Sequence, residues 1–434
     1  MPNPIEWTAK QKEAALKAIH IAETKARFGS ATEAQQPAPI TKIGVIGGGT
    51  MGAGIAVGML NSGLSVHMIE RDAPAVDAGK ARVLDTLKRD RASGRIDKAE
   101  YAARESAFKA SAQYSDLTDV DLVVEAVYED IDVKRDVFRQ VSEACGDDVI
   151  LATNTSYLNP ELIFKDVPAP QRCIGLHFFS PANIMKLVEI IPTKTTAKDV
   201  LSTAFSLTRT CKKVPVQAGI CDGFIGNRIL KAMRTQAERV LLFGATPQSV
   251  DAALKEFGMK MGPFEVQDLA GLDIAAYQRK AARDRGEKVF SPVSDHLVDQ
   301  GRFGRKTGAG WYDYAGTEQV FDTPEPVKIA LGAARQEAKV EPILWTNAMI
   351  VEVVVFAMLD EAAQILDEGI AQDPSDIDLV EIYGYGFPKD RGGLAWFGSA
   401  YGLSKIVERL EHYNKLNVSE APSNALRNWA QADA

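Results

Sequence analysis

Of the five histidines in the chain, His177 opens a pair of apolar, strand-like runs around a Pro-containing bend, and the second run carries a carboxylate in its middle. The stretch is HFFSPANIMKLVEII, residues 177–191, where His177 is followed by Glu189 between Val188 and Ile190. An ionised carboxylate in such surroundings costs several kcal/mol unless something pairs with it. Imidazole is a suitable partner, because it exchanges a proton near neutral pH while a buried carboxylate orients the ring and stabilises its charged form. Such a pair suits a base that takes the hydroxyl proton of a secondary alcohol as hydride leaves for a nicotinamide. The plainer reading is a core histidine bonded to backbone and a glutamate paired with a lysine. His20, His67, His296 and His412 have no partnered polar motif around them and read as structural or surface residues.

A second constellation lies upstream. Gly47-Gly48-Gly49-Thr50-Met51-Gly52 fits G-x-G-x-x-G, follows the strand-like KIGVIG and opens a helix-like segment. The glycines, Gly47, Gly49 and Gly52 among them, let the backbone approach a pyrophosphate, whose charge sits on the N-terminus of the helix where Thr50 and Met51 stand. Glu70, eighteen residues after Gly52 at the end of LSVHMIE, can accept hydrogen bonds from a ribose diol and would repel a 2′-phosphate. NAD is therefore expected over NADP, with the adjacent Arg71 as the one feature that could accommodate the phosphate.

These motifs need a frame. Strand-like runs continue at 121–127, 149–154, 173–179, 186–191 and 213–218, with helical stretches between them. That alternation predicts a doubly wound α/β domain with a parallel sheet over residues 40–220. The charged stretch 77–112 predicts a helical pair projecting from the sheet. Ahead of the sheet, 1–39 reads as an arm: one helix over 5–29, then the linker SATEAQQPAP. Beyond 220 the chain turns helical and repeats itself, since 236–272 aligns with 361–403, each copy having helix, Gly turn, capped helix and a Gly/Pro-rich segment. Two related all-α domains are expected, at 221–320 and 321–434.

Composition excludes several classes. With 434 residues, 46% hydrophobic and 25% charged, the chain reads as a multidomain globular protein. A net charge of −8 argues against a nucleic-acid surface. No apolar run approaches the roughly 20 residues of a membrane span, and MPNPIEWTAKQKEAA has no signal core, so a cytoplasmic protein without membrane contact is expected. The four cysteines show neither CxxC pairing nor metal spacing and read as reduced structural thiols, so no metal is expected.

GLHFFSPANIMKLVEIIP, LVVEAVYEDIDVK, TNTSYL, CDGFIGNRIL, MGPFEVQDLAGLD and GRFGRKTGAGWYDY together resemble, in order, the segments of the L-3-hydroxyacyl-CoA dehydrogenases of fatty-acid β-oxidation. The likeness covers about 40–430. The duplicated helical half and GYGFPKDRGG most resemble the dehydrogenase portion of the bifunctional hydratase/dehydrogenases of the peroxisomal type. The resemblance implies a Rossmann-type NAD-binding domain followed by two all-α domains like the C-terminal domain of 6-phosphogluconate dehydrogenase. It implies His177 as catalytic base, Glu189 as its partner, and Ser156 and Asn227 as polar groups around the substrate's oxygens. It also implies cofactor contacts for Glu129, Lys134, Ser156, Ser180 and Lys306.

Departures from the family pattern concern Ser180, where many relatives have Asn, and Phe397, where bifunctional relatives tend to have a substrate-side Tyr. Thr86 falls where the family has a CoA-contacting Ser. Only about forty residues precede the first strand, too few for a hydratase domain, so hydration is not expected.

The expectation is an NAD-dependent (S)-3-hydroxyacyl-CoA dehydrogenase whose helical domains close over the acyl thioester, the 77–112 projection meeting the CoA nucleotide. Dehydrogenation of a non-CoA 3-hydroxy acid is the alternative, although enzymes of that kind commonly use Lys; a non-catalytic NAD-binding protein is a third. The resemblance further implies a monomer, the second helical copy replacing a dimer partner through the faces of 223–243 and 346–366, with a homodimer as the other possibility.

Overall fold

The structure, a computed structural model, describes residues 3–28, 37–316, 318–320 and 322–433. Most of the linker expected at 30–39 therefore lies outside the described residues. Two compact units emerge, one built on residues 19–227 with 368–385, the other on 1–18, 228–367 and 386–434.

The first unit is a sheet of eight strands: β1 (Lys42–Ile46), β2 (Ser65–Ile69), β3 (Phe108–Ser111), β4 (Leu122–Glu125), β5 (Ile150–Thr153), β6 (Cys173–Phe178), β7 (Leu187–Pro192) and β8 (Val214–Gln217), in the order β3-β2-β1-β4-β5-β6-β7-β8. β4, β5 and β6 are buried along their whole length, as Val, Ile and Leu runs covered on both faces must be. The helices are α1 (Ala9–Phe28, within this unit from residue 19), α2 (Thr50–Asn61), α3 (Ala73–Ala92), α4 (Lys98–Ser106), α5 (Ile131–Ala144), the single turn α6 (Pro160–Ile163) and α7 (Lys198–Thr210). α2, α3 and α7 bury one face of the sheet and α5 the other, giving two separate apolar cores.

Two expectations are corrected. The sheet is not wholly parallel, because β7 runs antiparallel to β6 and β8 follows the direction of β7. The connection from Phe178 to Leu187 is too short for a helical crossover, and a short link permits only an antiparallel neighbour. The projection at 77–112 is a helical pair only as far as Ser106; Phe108–Ser111 then returns as the edge strand beside β2.

The helical unit contains α8 (Gly226–Leu242, within it from Arg228), α9 (Pro247–Phe257), α10 (Pro263–Ala270), α11 (Leu272–Asp284), α12 (Ser294–Asp299), α13 (Glu325–Ala338) and α14 (Asn347–Asp367). α15 (Pro374–Val380) belongs to the sheet unit, where it packs against β7 and β8, whereas α16 (Leu394–Tyr401), α17 (Leu403–Lys415) and α18 (Asn424–Ala432) return to the helical unit. In chain order α8–α11 and α14–α17 are the elements that fall on the two aligned segments. Thr246 and Asp373 cap the second helix of each copy, each followed by Pro at the first helical position.

α14 packs most extensively on α9 and α18 and meets α8 through the Arg228–Glu361 ion pair, so the contact expected between 223–243 and 346–366 is not its main one. No helix among the described residues is long and apolar enough to cross a membrane.

Candidate active site

The antiparallel register of β6 and β7 places His177 directly opposite Glu189. His177 is 4% exposed and Glu189 is fully buried. His177 Nδ1 lies 2.7 Å from Glu189 Oε2, and His177 Nε2 lies 3.1 Å from Ser156 Oγ. The second carboxylate oxygen, Glu189 Oε1, accepts from the backbone amides of Ile225 and Gly226, both at 3.1 Å. With both oxygens used as acceptors, the bonding requires the proton on Nδ1 and leaves Nε2 as the basic nitrogen facing Ser156. The rings of Phe179, at 4.5 Å, and Phe224, at 5.7 Å, flank the imidazole and keep its surroundings apolar.

Ser156 is held by a clamp. Glu129 Oε1 accepts from Thr155 Oγ1 at 2.6 Å and from the amides of Ser156 and Tyr157 at 2.9 and 3.2 Å. Behind it, Lys134 Nζ sits 2.7 Å from Glu125 Oε1 and 3.3 Å from Glu129 Oε2, while Thr153 donates to Glu125 at 2.7 Å. Burial raises the Glu129 carboxyl, but the Lys134 charge and the bonds from Thr155, Ser156 and Tyr157 outweigh it and hold it below the ordinary glutamate range. The cofactor contact expected of Lys134 is corrected here: its side chain has no exposed surface and is spent on two carboxylates. Glu129 keeps about a third of its side-chain surface open and can still meet a ligand.

At the glycine loop, Gly47 has φ +96°, and a Cβ there would lie 2.8 Å from Ala126 O. A Cβ on Gly52 would lie 1.8 Å from Gly47 O, which forbids any larger residue. Gly49, by contrast, faces open space, with nothing within 4 Å of a Cβ built on it. It precedes α2, which starts with Thr50 and Met51 and carries no side-chain cap and no acid in its first turn. Unclaimed amides at a helix start, under a backbone cradle with room for a ligand, fit the diphosphate of a dinucleotide. Glu70 stands at the end of β2, where its Oε1 accepts from the Gly48 amide at 2.6 Å, and Arg82 donates to Gly48 O at 2.9 Å. Glu70 thus braces the loop.

The remaining expected residues divide. Asn227 opens α8 next to Gly226, whose amide holds Glu189, and Ser180 is exposed directly after the His177 strand. Thr86 lies partly exposed on α3, bonded to Arg82 O and Arg89. Lys306 lies in the helical unit, paired with Asp273 at 2.6 Å. Phe397 is corrected: it has no exposed surface and packs among Trp7, Phe257 and Tyr401, so its ring has no face left for a substrate. Sequence reasoning missed Glu125, whose only signal was a carboxylate at the end of an otherwise apolar strand. It also missed the Ile225 and Gly226 amides and Tyr385, whose hydroxyl donates to Asn227 Oδ1 at 2.9 Å.

Comparison with known proteins gives the family. The 3-hydroxyacyl-CoA dehydrogenase NAD-binding domain matches residues 42–222, and the C-terminal domain of the same family matches 223–314. An (S)-3-hydroxybutyryl-CoA dehydrogenase from Ralstonia eutropha is 33% identical, with 64% of this chain and all of that one covered at a TM-score of 0.60. The chain belongs to the 3-hydroxyacyl-CoA dehydrogenase family.

A 3-hydroxybutyryl-CoA dehydrogenase from Escherichia coli, 25% identical, covers 91% of this chain and 99% of its own at a TM-score of 0.79, so the likeness extends through the second helical copy. The peroxisomal bifunctional enzyme of Cavia porcellus is 37% identical over 393 residues, 87% of this chain. The chain spans about half the length of that curated relative, 54%. NAD is the cofactor of the matched domain, and the Gly49 cradle fits it.

Proposed function

We propose that the chain catalyses NAD-dependent oxidation of the 3-hydroxyl of an (S)-3-hydroxyacyl-CoA to the 3-keto thioester. The observation that carries this reading is the relay Ser156–His177–Glu189, closed from behind by two backbone amides. NAD, when bound, supplies the hydride acceptor. His177 Nε2 takes the hydroxyl proton, and the charge that develops on the ring is balanced through Nδ1 by the buried Glu189 carboxylate.

Ser156 Oγ, within hydrogen-bond reach of Nε2, orients the substrate's hydroxyl, and the Asn227 amide donates to the thioester carbonyl. Phe179 and Phe224 exclude water from the pair. Glu129 both braces the Ser156 loop and offers its open edge to the cofactor, with Ser180 and Lys306 as further contacts and Thr86 toward the CoA portion. We read residues 221–434 as two copies of one helical plan and the protein as a monomer, because α14 of the second copy packs on α9 of the first.

NADH formation from a panel of (S)-3-hydroxyacyl-CoA thioesters, set beside the corresponding free acids, tests the reading. Activity confined to thioesters and reduced about 10²–10⁴-fold in His177→Ala is expected. Equal rates on the free acids, or an undiminished variant, would overturn it.

A further inference from the structure

The sheet unit includes a segment, Glu368–Tyr385, that lies beyond both matched family domains, which end at residue 314. It carries α15 and then a five-residue π-helical turn, Glu381–Tyr385. This turn reaches the site at three points. Tyr385 Oη donates to Asn227 Oδ1 at 2.9 Å. The Tyr385 ring stands edge-on to Phe179 at 5.7 Å, and Phe179 in turn packs on the His177 imidazole at 4.5 Å. The same ring lies so close to Gly226 that a Cβ there would approach it to 2.3 Å, and Gly226 is one of the two residues whose amides hold Glu189. Gly384 is needed for the approach as well, since its Cβ would meet Leu187 Cδ2 at 2.8 Å.

We propose that Tyr385 is a positioning residue that fixes the orientation of the Asn227 side-chain amide. By donating to Oδ1 it leaves Nδ2 as the edge turned toward the ligand, so that Asn227 offers the substrate carbonyl a donor. Without the hydroxyl the amide has no reason to keep that orientation, and the flipped form would set Oδ1 against the carbonyl oxygen, a repulsive contact. The inference rests on the reading of the site as one for an acyl-CoA thioester. The residue's contribution comes from the second helical copy, so it is a part of the site that the first copy cannot supply.

The test is Tyr385→Phe, which keeps the ring and removes the hydroxyl. Loss of one fixed hydrogen bond is expected to lower kcat/KM for the thioester about 10-fold, with the KM for NAD and the melting temperature little changed. In an Asn227→Ala background the same substitution is expected to have no further effect, because the group it orients is gone. Wild-type rates in Tyr385→Phe, or an equal 10-fold loss with and without Asn227, would overturn the proposal. If the wild-type protein turns over no 3-hydroxyacyl-CoA at all, the functional reading fails and the amide is read directly. Its ¹⁵N side-chain resonance, assigned by its loss in Asn227→Asp, should move in Tyr385→Phe, and an unmoved resonance would sink the positioning role on its own.

Discussion

Replacing Glu189 by Gln changes one atom of a fully buried group, and the structure sets the size of the effect. One carboxylate oxygen accepts from His177 Nδ1 at 2.7 Å, and the other from two amides at 3.1 Å each. Gln has one oxygen for these two duties. If that oxygen turns to the amides, its NH₂ faces His177, the proton moves to Nε2, and the nitrogen that should accept the substrate's proton is blocked. If it turns to His177 instead, the NH₂ confronts two buried N–H donors.

Leaving two buried donors unmet costs about 2–6 kcal/mol at roughly 1–3 each. The productive tautomer is then rarer, and kcat lower, by about 30-fold to 10⁴-fold at roughly 1.4 kcal/mol per decade. The isosteric change leaves the glycine loop untouched, so NADH binding followed by fluorescence should match wild type. Steady-state NADH formation at saturating substrate measures the loss. A Glu189→Gln enzyme that keeps a third or more of wild-type kcat would refute the tautomer argument, whatever its effect on stability.

Three further outcomes follow from the same geometry. Lys134→Met should destabilise the protein by about 3–5 kcal/mol in denaturant titration, because it strands the fully buried Glu125 carboxylate. Adding Glu125→Gln should recover part of that loss, and no recovery would mean the ion pair is not its source. Gly49→Ala should leave the melting temperature near wild type, since nothing lies within 4 Å of the new methyl, yet raise the NADH dissociation constant about 10-fold or more by intruding on the phosphate cradle. Unchanged NADH affinity would place the cofactor elsewhere.

Glu381 provides the pH test. Burial first, then the charges of Glu189 and Asp378, push its carboxyl well above the ordinary value of 4.5. A raised folded pKa means that its contribution to stability is fully present below the unfolded value and falls as pH rises above it, by about 1.4 kcal/mol per pH unit. Glu381→Gln does not titrate, so its stability relative to wild type should grow as pH rises above about 5. A difference that stays constant across melts at rising pH would show that Glu381 ionises freely.

Much of this protein is legible in the chain. The G-x-G-x-x-G turn announced a βαβ unit, and Gly52 proves irreplaceable for a contact made within its own turn, with Gly47 O. The helical character beyond residue 220 is a matter of local signals, and α8–α11 and α14–α17 form on the two segments that align. Even the pairing of His177 with Glu189 could be read, because two strands joined by a short link leave few registers.

What tertiary structure alone decided are the partners that sequence separation hides. Lys134 and Phe397, which only the family resemblance singled out, are covered by packing, and periodicity does not say which face of an element a distant segment will bury. The amides that close the Glu189 carboxylate come from 36 and 37 residues downstream, and the hydroxyl on Asn227 from 158 away. The chain's local chemistry thus marked out the candidate groups, His177 and Glu189 above all. Their hydrogen-bond partners are backbone amides and one tyrosine hydroxyl delivered by topology, and no local pattern encodes such meetings because the energy that forms them is spread over the whole packed core.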